Sequence, residues 1–183
     1  MPHQPSCSNN YFGDILCRVD TRWLTREQVA AWVRLAAVLE LLPTALDSQL
    51  RRDAQLTHFD YYVLALLSEA PQRTMRMAKL AQSTTATLAR LSHVVQRLEG
   101  RGLLDRVPCP TDRRATNARL TEAGWQKVQQ AAPGHVTFVR DHVIDALTPD
   151  QVIQLADITQ AILHRLDPDA GRADTNRLHD SPD

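Results

Sequence analysis

Apolar residues recur every three or four positions along most of this chain, which is the spacing of one face of an α-helix. The first such stretch opens at Thr25 with a Thr-x-x-Gln capping box and continues as VAAWVRLAAVLELL. It predicts a long first helix. Pro43 is expected to kink or break this helix, and TALDSQLRRDAQ resumes the helical spacing.

Further start and stop signals divide the middle of the chain. Thr57, with Asp60 three residues later, begins a short buried helix that ends near Pro71. The following RTMR is short enough to be a small strand. MAKLAQST predicts another short helix, which a polar Ser-Thr-Thr turn ends.

The next helix is predicted over residues 87–101 and has one apolar face, with Gly102 as its stop signal. That face consists of Leu88, Leu91, Val94 or Val95, and Leu98. LLDRVP and ATNARLT then have the composition of strands, and Pro-Cys-Pro-Thr-Asp-Arg-Arg joins them as a turn. A helix-turn-helix followed by a β-hairpin wing is a winged helix.

Two more helices complete the patterned region. Thr121 begins one that passes Pro133 and continues through HVTFVRDHVIDAL. The start signals of the last helix are Thr148, Pro149 and Gln151. Residues 1–24 and 167–183 lack such a pattern, so we expect a flexible extension and a disordered tail. The predicted fold class is therefore mainly α with a small β-hairpin wing.

Charge changes this picture, because the chain has no net charge but distributes its charges unevenly. Residues 73–119 contain ten Lys or Arg against three acids, and the remainder contains eleven against eighteen. A basic segment in an otherwise acidic chain suits a phosphate backbone. The alternative is a solvated surface with ordinary ion pairs.

The sequence offers few signals for other kinds of chemistry. Cys7, Cys17 and Cys109 form no Cys-x-x-Cys pair, so we expect reduced thiols, with Cys109 exposed on the wing turn as a redox switch or an inert thiol. No nucleophile elbow, phosphate-binding glycine loop or zinc-protease motif occurs, which argues against an enzyme. We expect no cofactor and no metal, since His135 and His142 lack further ligands.

The chain also lacks an apolar signal-peptide core, and no uninterrupted apolar run approaches the roughly 18 residues of a membrane span. We therefore expect a cytoplasmic protein without membrane contact.

The stretch LAQSTTATLARLSHVVQRLEGRGLLDRVPCPTDRRATNARLTEAG resembles the MarR family of bacterial transcriptional regulators. The resemblance rests on Arg97-Leu98-Glu99, Gly102-Leu103, Asp112-Arg113-Arg114 and Leu120-Thr121-Glu122-Ala123-Gly124 in combination. It covers residues 25–166 and implies a homodimer that binds double-stranded DNA. Residues 25–55 and 122–166 would be dimerisation helices, and residues 56–121 the winged helix-turn-helix.

Helix geometry then predicts which side chains meet DNA. The N-terminus of helix 87–101 would enter the major groove with the polar face opposite its apolar one, and the hairpin tip would enter the adjacent minor groove. The expected DNA-binding residues are Thr87, Ala89, Arg90, His93, Arg97, Arg113 and Arg114. Asp112 is expected to fix the turn or an arginine rotamer. Many members of the family have an acid at the position that Gln96 occupies here, where it can hold the wing arginine, which the resemblance places at Arg114. With Gln96 that hydrogen bond would be neutral and weaker.

The family often binds a small aromatic effector between the DNA-binding lobe and the dimer helices. Residues that could line such a cleft are Trp32, His58, Tyr61, Tyr62 and Trp125. Aromatic residues at helical spacing are also ordinary core residues. The predicted function is a dimeric regulator on a pseudo-palindromic operator, a repressor relieved by a small ligand. The alternative is a winged-helix interaction or dimerisation module without specific DNA binding.

Overall fold

The structure is a computed structural model that describes residues 21–167. Its helices are α1 (Arg26–Ala54), α2 (His58–Glu69), α3 (Met77–Ser83), α4 (Leu88–Gly100), α5 (Glu122–Val139) and α6 (Pro149–Leu166). Its strands are β1 (Thr74–Arg76), β2 (Leu104–Cys109) and β3 (Asp112–Leu120). One 3₁₀ turn (Pro71–Arg73) precedes β1, and a π-helical turn (Arg140–Ile144) follows α5. Most of the predicted N-terminal extension and C-terminal tail lies outside the described residues.

The predicted helix starts are confirmed. Thr25 and Gln28 form the first capping box, with a Thr25 N–H to Gln28 Oε1 distance of 2.9 Å. Thr57 and Asp60 form the second, at 3.0 Å in both directions. Thr148 and Gln151 form the third, with Pro149 in the first turn of α6. Each box satisfies backbone N–H groups that have no partner within the helix.

The expectation that Pro43 interrupts the first helix is wrong in its stronger form, because α1 is one helix that contains Pro43. Proline removes one backbone hydrogen bond, from its own nitrogen to the carbonyl of Leu39. Both residues are exposed, so water can bind that carbonyl. The last turns of α1 pack into the core through Leu46 and Leu50, and this burial favours continuing the helix beyond the proline.

The three strands form one antiparallel sheet in the order β1-β3-β2. The short RTMR segment contributes β1, in which Met75 is opposite Ala118. Strands β2 and β3 form the predicted hairpin, with Leu104 opposite Leu120 at its base. The sheet is therefore the wing hairpin extended by one strand, and β1 connects it to the start of α3.

The core is a cluster of leucines and valines from residues 50–131. Its fully buried members are Leu50, Leu56, Val63, Leu64, Leu67, Leu80, Leu91, Val95, Leu98, Leu104 and Ala118. Three of the predicted positions on α4, Leu91, Val95 and Leu98, belong to this set. Leu88, which was assigned to the same face, is 55% exposed. It is the first residue of α4 and lies beyond the edge of the core.

Two helices expose many large apolar side chains. On α1 these are Val29, Trp32, Val33, Val38, Leu39 and Leu41, and on α6 they are Ile153, Leu155, Ile158, Ile162, Leu163 and Leu166. By length and composition, α1 could cross a membrane, since 18 of its residues have a mean hydropathy of 1.6. Arg34 and Glu40 lie within that stretch, and a charge at the bilayer centre costs about 2.5–3.5 kcal/mol.

Candidate nucleic-acid interface

The N-terminal end of α4 is capped and exposed. Thr87 caps the helix, since its hydroxyl accepts a hydrogen bond from the backbone N–H of Arg90 at 3.2 Å. Ala89, Arg90 and His93 are exposed on the helix beyond it. The exposed Leu88 adds an apolar group at this end, one that the periodicity had assigned to the core. The N-terminal end of α4 can therefore place hydrogen-bond donors against base edges and an apolar side chain against a thymine methyl group.

The guanidinium of Arg90 lies over the ring of Phe59 in α2, 4.5 Å from the ring centroid. This distance is within the range of a cation–π contact. Phe59 is half-buried and packs against the core, so the ring is fixed. Within residues 21–167 no carboxylate forms an ion pair with Arg90.

Arg97, by contrast, is tied to a buried acid. Its guanidinium donates a hydrogen bond to Oδ1 of Asp60, whose side chain is only 3% exposed, whereas that of Arg97 is 51% exposed. Asp60 also accepts the Thr57 N–H through its other oxygen. The sequence identified Asp60 only as a capping residue, because the pairing joins residues 37 positions apart.

The wing differs from the predicted hairpin in the position of its turn. Cys109 is paired with Asp112, so only Pro110 and Thr111 form the turn. Arg113 and Arg114 therefore lie in β3 and not at the tip, which corrects the expected turn. Since Pro108 is already opposite Thr116, residues 113–115 bulge out of the ladder without partners on β2.

Asp112 has the predicted turn-fixing role, because its Oδ1 accepts the backbone N–H of Arg114 at 3.0 Å. The side chain of Arg114 is exposed, and within the described residues no acid pairs with it. Gln96 is also exposed and makes no hydrogen bond to Arg114 in that part of the chain. The bulge thus presents the wing arginine without a neutralising partner.

The wing turn is anchored from β1. Arg76 Nη2 donates to the Thr111 hydroxyl at 3.0 Å, and that hydroxyl is 3.4 Å from the Cys109 thiol. Cys109 is buried, so the prediction of an exposed thiol is wrong. It is the last residue of β2, paired with Asp112, and lies before the two-residue turn rather than in it. Hydrogen bonding to Thr111 lowers the pKa of this thiol. Sequence analysis missed Arg76, whose reach across 35 residues has no local signal.

Two of the predicted ligand-binding residues meet a third aromatic side chain. The ring of His135 in α5 lies 4.6 Å from that of Tyr61 and 6.3 Å from that of His58. Burial lowers the pKa of both histidines. The charge of His58 lowers that of His135 further, whereas Asp47 opposes the change at His58. Nδ1 of His135 is buried without a partner among the described residues.

The other predicted ligand-binding residues have different neighbours. Tyr62 donates its hydroxyl proton to the carbonyl of Ser83 at 3.2 Å. Trp125 lies under the guanidinium of Arg73, 4.4 Å from its ring centroid. Trp32 is exposed on the first half of α1. The structure therefore brings only His58 and Tyr61 of this set together, around His135. No group of three metal-ligating side chains occurs within residues 21–167.

Comparison with known proteins relates this arrangement to one family. The MarR family model matches residues 56–116. The HTH-type transcriptional repressor IacR of Pseudomonas putida is 30% identical over 108 residues, which are 57% of this chain and 61% of IacR. The chain thus matches less than two thirds of that relative's length.

Solved structures extend the similarity to about four fifths of this chain. Sco3205, a MarR family transcriptional regulator from Streptomyces coelicolor solved in complex with DNA, is 42% identical with a TM-score of 0.77. The match covers 79% of this chain and 94% of Sco3205. AbsC, a MarR family transcriptional regulator from the same organism, is 39% identical with a TM-score of 0.76, over 80% and 98% of the two chains.

Proposed function

Since the chain belongs to the MarR family of transcriptional regulators, we propose that it regulates transcription by binding a specific DNA sequence as a homodimer. The operator is pseudo-palindromic, because a two-fold symmetric dimer presents two identical copies of α4, the recognition helix. The protein acts in the bacterial cytoplasm and has no catalytic role. IacR is named a repressor, and repression is the sign of regulation that we propose here.

The observation that carries this proposal is the pair of uncompensated arginines, Arg90 on α4 and Arg114 on the wing. Four other cations of the basic segment pair with acids: Arg73 with Glu122, Arg97 with Asp60, Arg106 with Glu99 and Arg119 with Asp105. Among the described residues, Arg76, Lys79, Arg90, Arg101 and Arg114 pair with no acid. Of these, Arg90 lies near the capped end of α4 and Arg114 in the bulge of β3. Unpaired arginines on a capped helix end and a bulged strand are suited to bases and phosphates.

We assign the DNA contacts by element. Thr87, Ala89, Arg90 and His93 face the major groove, with Leu88 as an apolar contact to thymine methyl groups. Arg113 and Arg114 enter the adjacent minor groove, where the negative potential favours arginine. Arg97, whose side chain is half-exposed, contacts a phosphate with guanidinium N–H groups that do not bind Asp60.

The homodimer is supported by the apolar surfaces of α1 and α6, each of which exposes at least six large apolar side chains. Exposed apolar patches of this size on a protein that acts in water mark contact surfaces. A second copy of the chain covers them, which is also a better account of α1 than a membrane span containing Arg34 and Glu40.

An effector binds near His135, Tyr61 and His58 in this proposal. The unpartnered Nδ1 of His135 and the phenol of Tyr61 provide polar groups beside aromatic rings, which suits a small aromatic molecule with a polar substituent. Alanine substitution followed by calorimetric titration with candidate aromatic acids tests these three residues. The same measurement tests the remaining predicted ligand residues, Trp32, Tyr62 and Trp125.

The experiment that tests DNA binding begins with selection of duplexes from a random-sequence library by the wild-type protein. Fluorescence anisotropy then compares the selected duplex with a scrambled one at several salt concentrations. Arg114→Ala is expected to weaken binding to both duplexes and to lower the salt slope by about 1, whereas Arg90→Ala weakens binding to the selected duplex by about 10- to 100-fold.

Arg140→Ala is the matched control, because Arg140 is an exposed arginine outside the basic segment and pairs with Asp145. We expect its affinity and salt slope to equal those of the wild type. Failure of the wild-type protein to bind any duplex at low salt would contradict the proposal and favour the interaction-module alternative.

A further inference from the structure

Two consecutive residues of α2 hold two arginines of α4. The ring of Phe59 lies under the guanidinium of Arg90, and the carboxylate of Asp60 accepts a hydrogen bond from Arg97. Arg90 and Arg97 are seven residues apart, two turns along one face of α4. The first turn of α2 therefore contacts the recognition helix at both ends of that face.

This turn of α2 is itself fixed. The backbone N–H of His58 donates to Oδ1 of Asp47 in α1 at 2.9 Å. The capping box between Thr57 and Asp60 closes the helix end, and Phe59 packs against the core. A ring held in this way offers the Arg90 guanidinium a fixed surface to contact.

We propose that Phe59 is a positioning residue for sequence recognition, which holds the Arg90 guanidinium in the orientation in which it reads a base. The inference rests on the proposed function, because it assumes that Arg90 meets DNA. Phe59 acts through Arg90 and does not itself touch DNA.

The chemistry of a stacked guanidinium supports this role. A guanidinium that stacks on a ring has its flat face occupied, and its N–H donors then point outward in the plane. Those in-plane donors are the ones that form the bidentate contact to guanine O6 and N7. Stacking also restricts a side chain that otherwise loses much rotamer freedom when it binds, so less entropy is lost on DNA binding.

A series of fluorinated phenylalanines at position 59 tests the inference without removing the ring. One, two and then three fluorine atoms progressively weaken the negative face of the ring while changing its size little. We expect the affinity for the selected duplex to fall stepwise, by about two- to fivefold over the series. The affinity for the scrambled duplex stays constant, because the positioned contact is to a base.

Three controls make the readout specific. In the Arg90→Gln background the same series is expected to be flat, since no cation remains over the ring. The same fluorinated residues at Phe138, whose ring stacks on His142 at 3.9 Å, leave DNA affinity unchanged. Phe59→Leu keeps an apolar side chain and removes the ring, and its thermal unfolding shows whether folding is preserved.

The outcomes separate this inference from the proposed function. If the wild-type protein selects a duplex but the fluorinated variants at position 59 all bind it with the same affinity, the positioning role alone is overturned. A fall in affinity across the same series in the Arg90→Gln background also overturns it, because the ring would then act through packing. A wild-type protein that selects no duplex overturns the proposed function and this inference with it.

Discussion

Individual arginines of the basic segment have different roles, although they contribute equally to its net charge. Arg73, Arg106 and Arg119 are neutralised by acids on neighbouring elements. These exposed pairs contribute little to stability, about 0–1 kcal/mol each. The reading of the segment as a surface with ordinary ion pairs is therefore correct for these residues, and the DNA-binding interpretation depends on Arg90 and Arg114.

Gly124 is a residue whose substitution should be costly. In the first turn of α5, a Cβ at this position would lie 1.9 Å from the carbonyl oxygen of Leu103 and 2.6 Å from Cδ1 of Leu120. Gly124→Ala must therefore move backbone at the base of the wing. We expect the free energy of unfolding in denaturant titrations to fall by about 3 kcal/mol.

Gly100→Ala is the matched control for this substitution. Gly100 is the last residue of α4, and a Cβ there would meet nothing within 4 Å. Alanine is the better helix former by about 0.8–1 kcal/mol in a helix interior, so a small gain or no change is expected. Equal losses from the two substitutions would contradict the close approach at Gly124.

At the scale of elements, the wing is positioned by contacts that have no local signal. The bulge at residues 113–115, the Arg76 to Thr111 hydrogen bond and the Glu99 to Arg106 ion pair each join separate elements. Helix starts behave in the opposite way, because a capping box needs only residues three apart. That difference explains why the capping predictions were confirmed while the turn of the wing was misplaced.

The histidine pair between α2 and α5, His58 and His135, predicts a free energy of unfolding that depends on pH. His58 and His135 are partly buried, and burial lowers their pKa values below 6.5. Between 6.5 and the lowered values, the unfolded chain binds more protons than the folded one. The free energy of unfolding should therefore fall as the pH drops below about 6.5 and stop responding to these groups below the lowered pKa values.

Denaturant titrations from pH 7.5 to 5 would measure this effect, and His135→Asn is expected to flatten the dependence. Asp47, which opposes the pKa change at His58, and Tyr61, whose ring meets that of His135, are retained in this variant. Identical profiles for the wild type and His135→Asn would contradict the prediction.

The whole molecule, in our proposal, is a dimer because single protomers leave α6 uncovered. Residue Ile158 of α6 is 57% exposed and Leu166 is 74% exposed. Burying an apolar side chain of this kind is worth roughly 1.5–3 kcal/mol, and several such residues on α1 and α6 suffice to drive association. Dimerisation also fixes the separation of the two recognition helices, which half-site spacing must match.

Ile158→Glu tests this assembly. A buried carboxylate without a partner opposes association, so we expect the dimer dissociation constant to rise at least about tenfold in sedimentation equilibrium. Binding to a duplex with two half-sites should weaken in parallel. Gln72→Glu adds the same charge at an exposed position of the 3₁₀ turn, outside both α1 and α6, and should leave the dimer intact. A monomeric wild-type protein would contradict the proposed assembly.

The sequence by itself determined the mainly helical winged-helix class, the helix starts and most of the core, because these depend on residue spacing and on caps between near neighbours. Only the tertiary structure decided that α1 continues through Pro43, that Leu88 is exposed and that Cys109 is buried. It also decided which arginines are neutralised, since Asp60 lies 37 residues from Arg97 in the chain. Side-chain charges interact through space, so their partners follow from how the elements pack and not from their order in the chain.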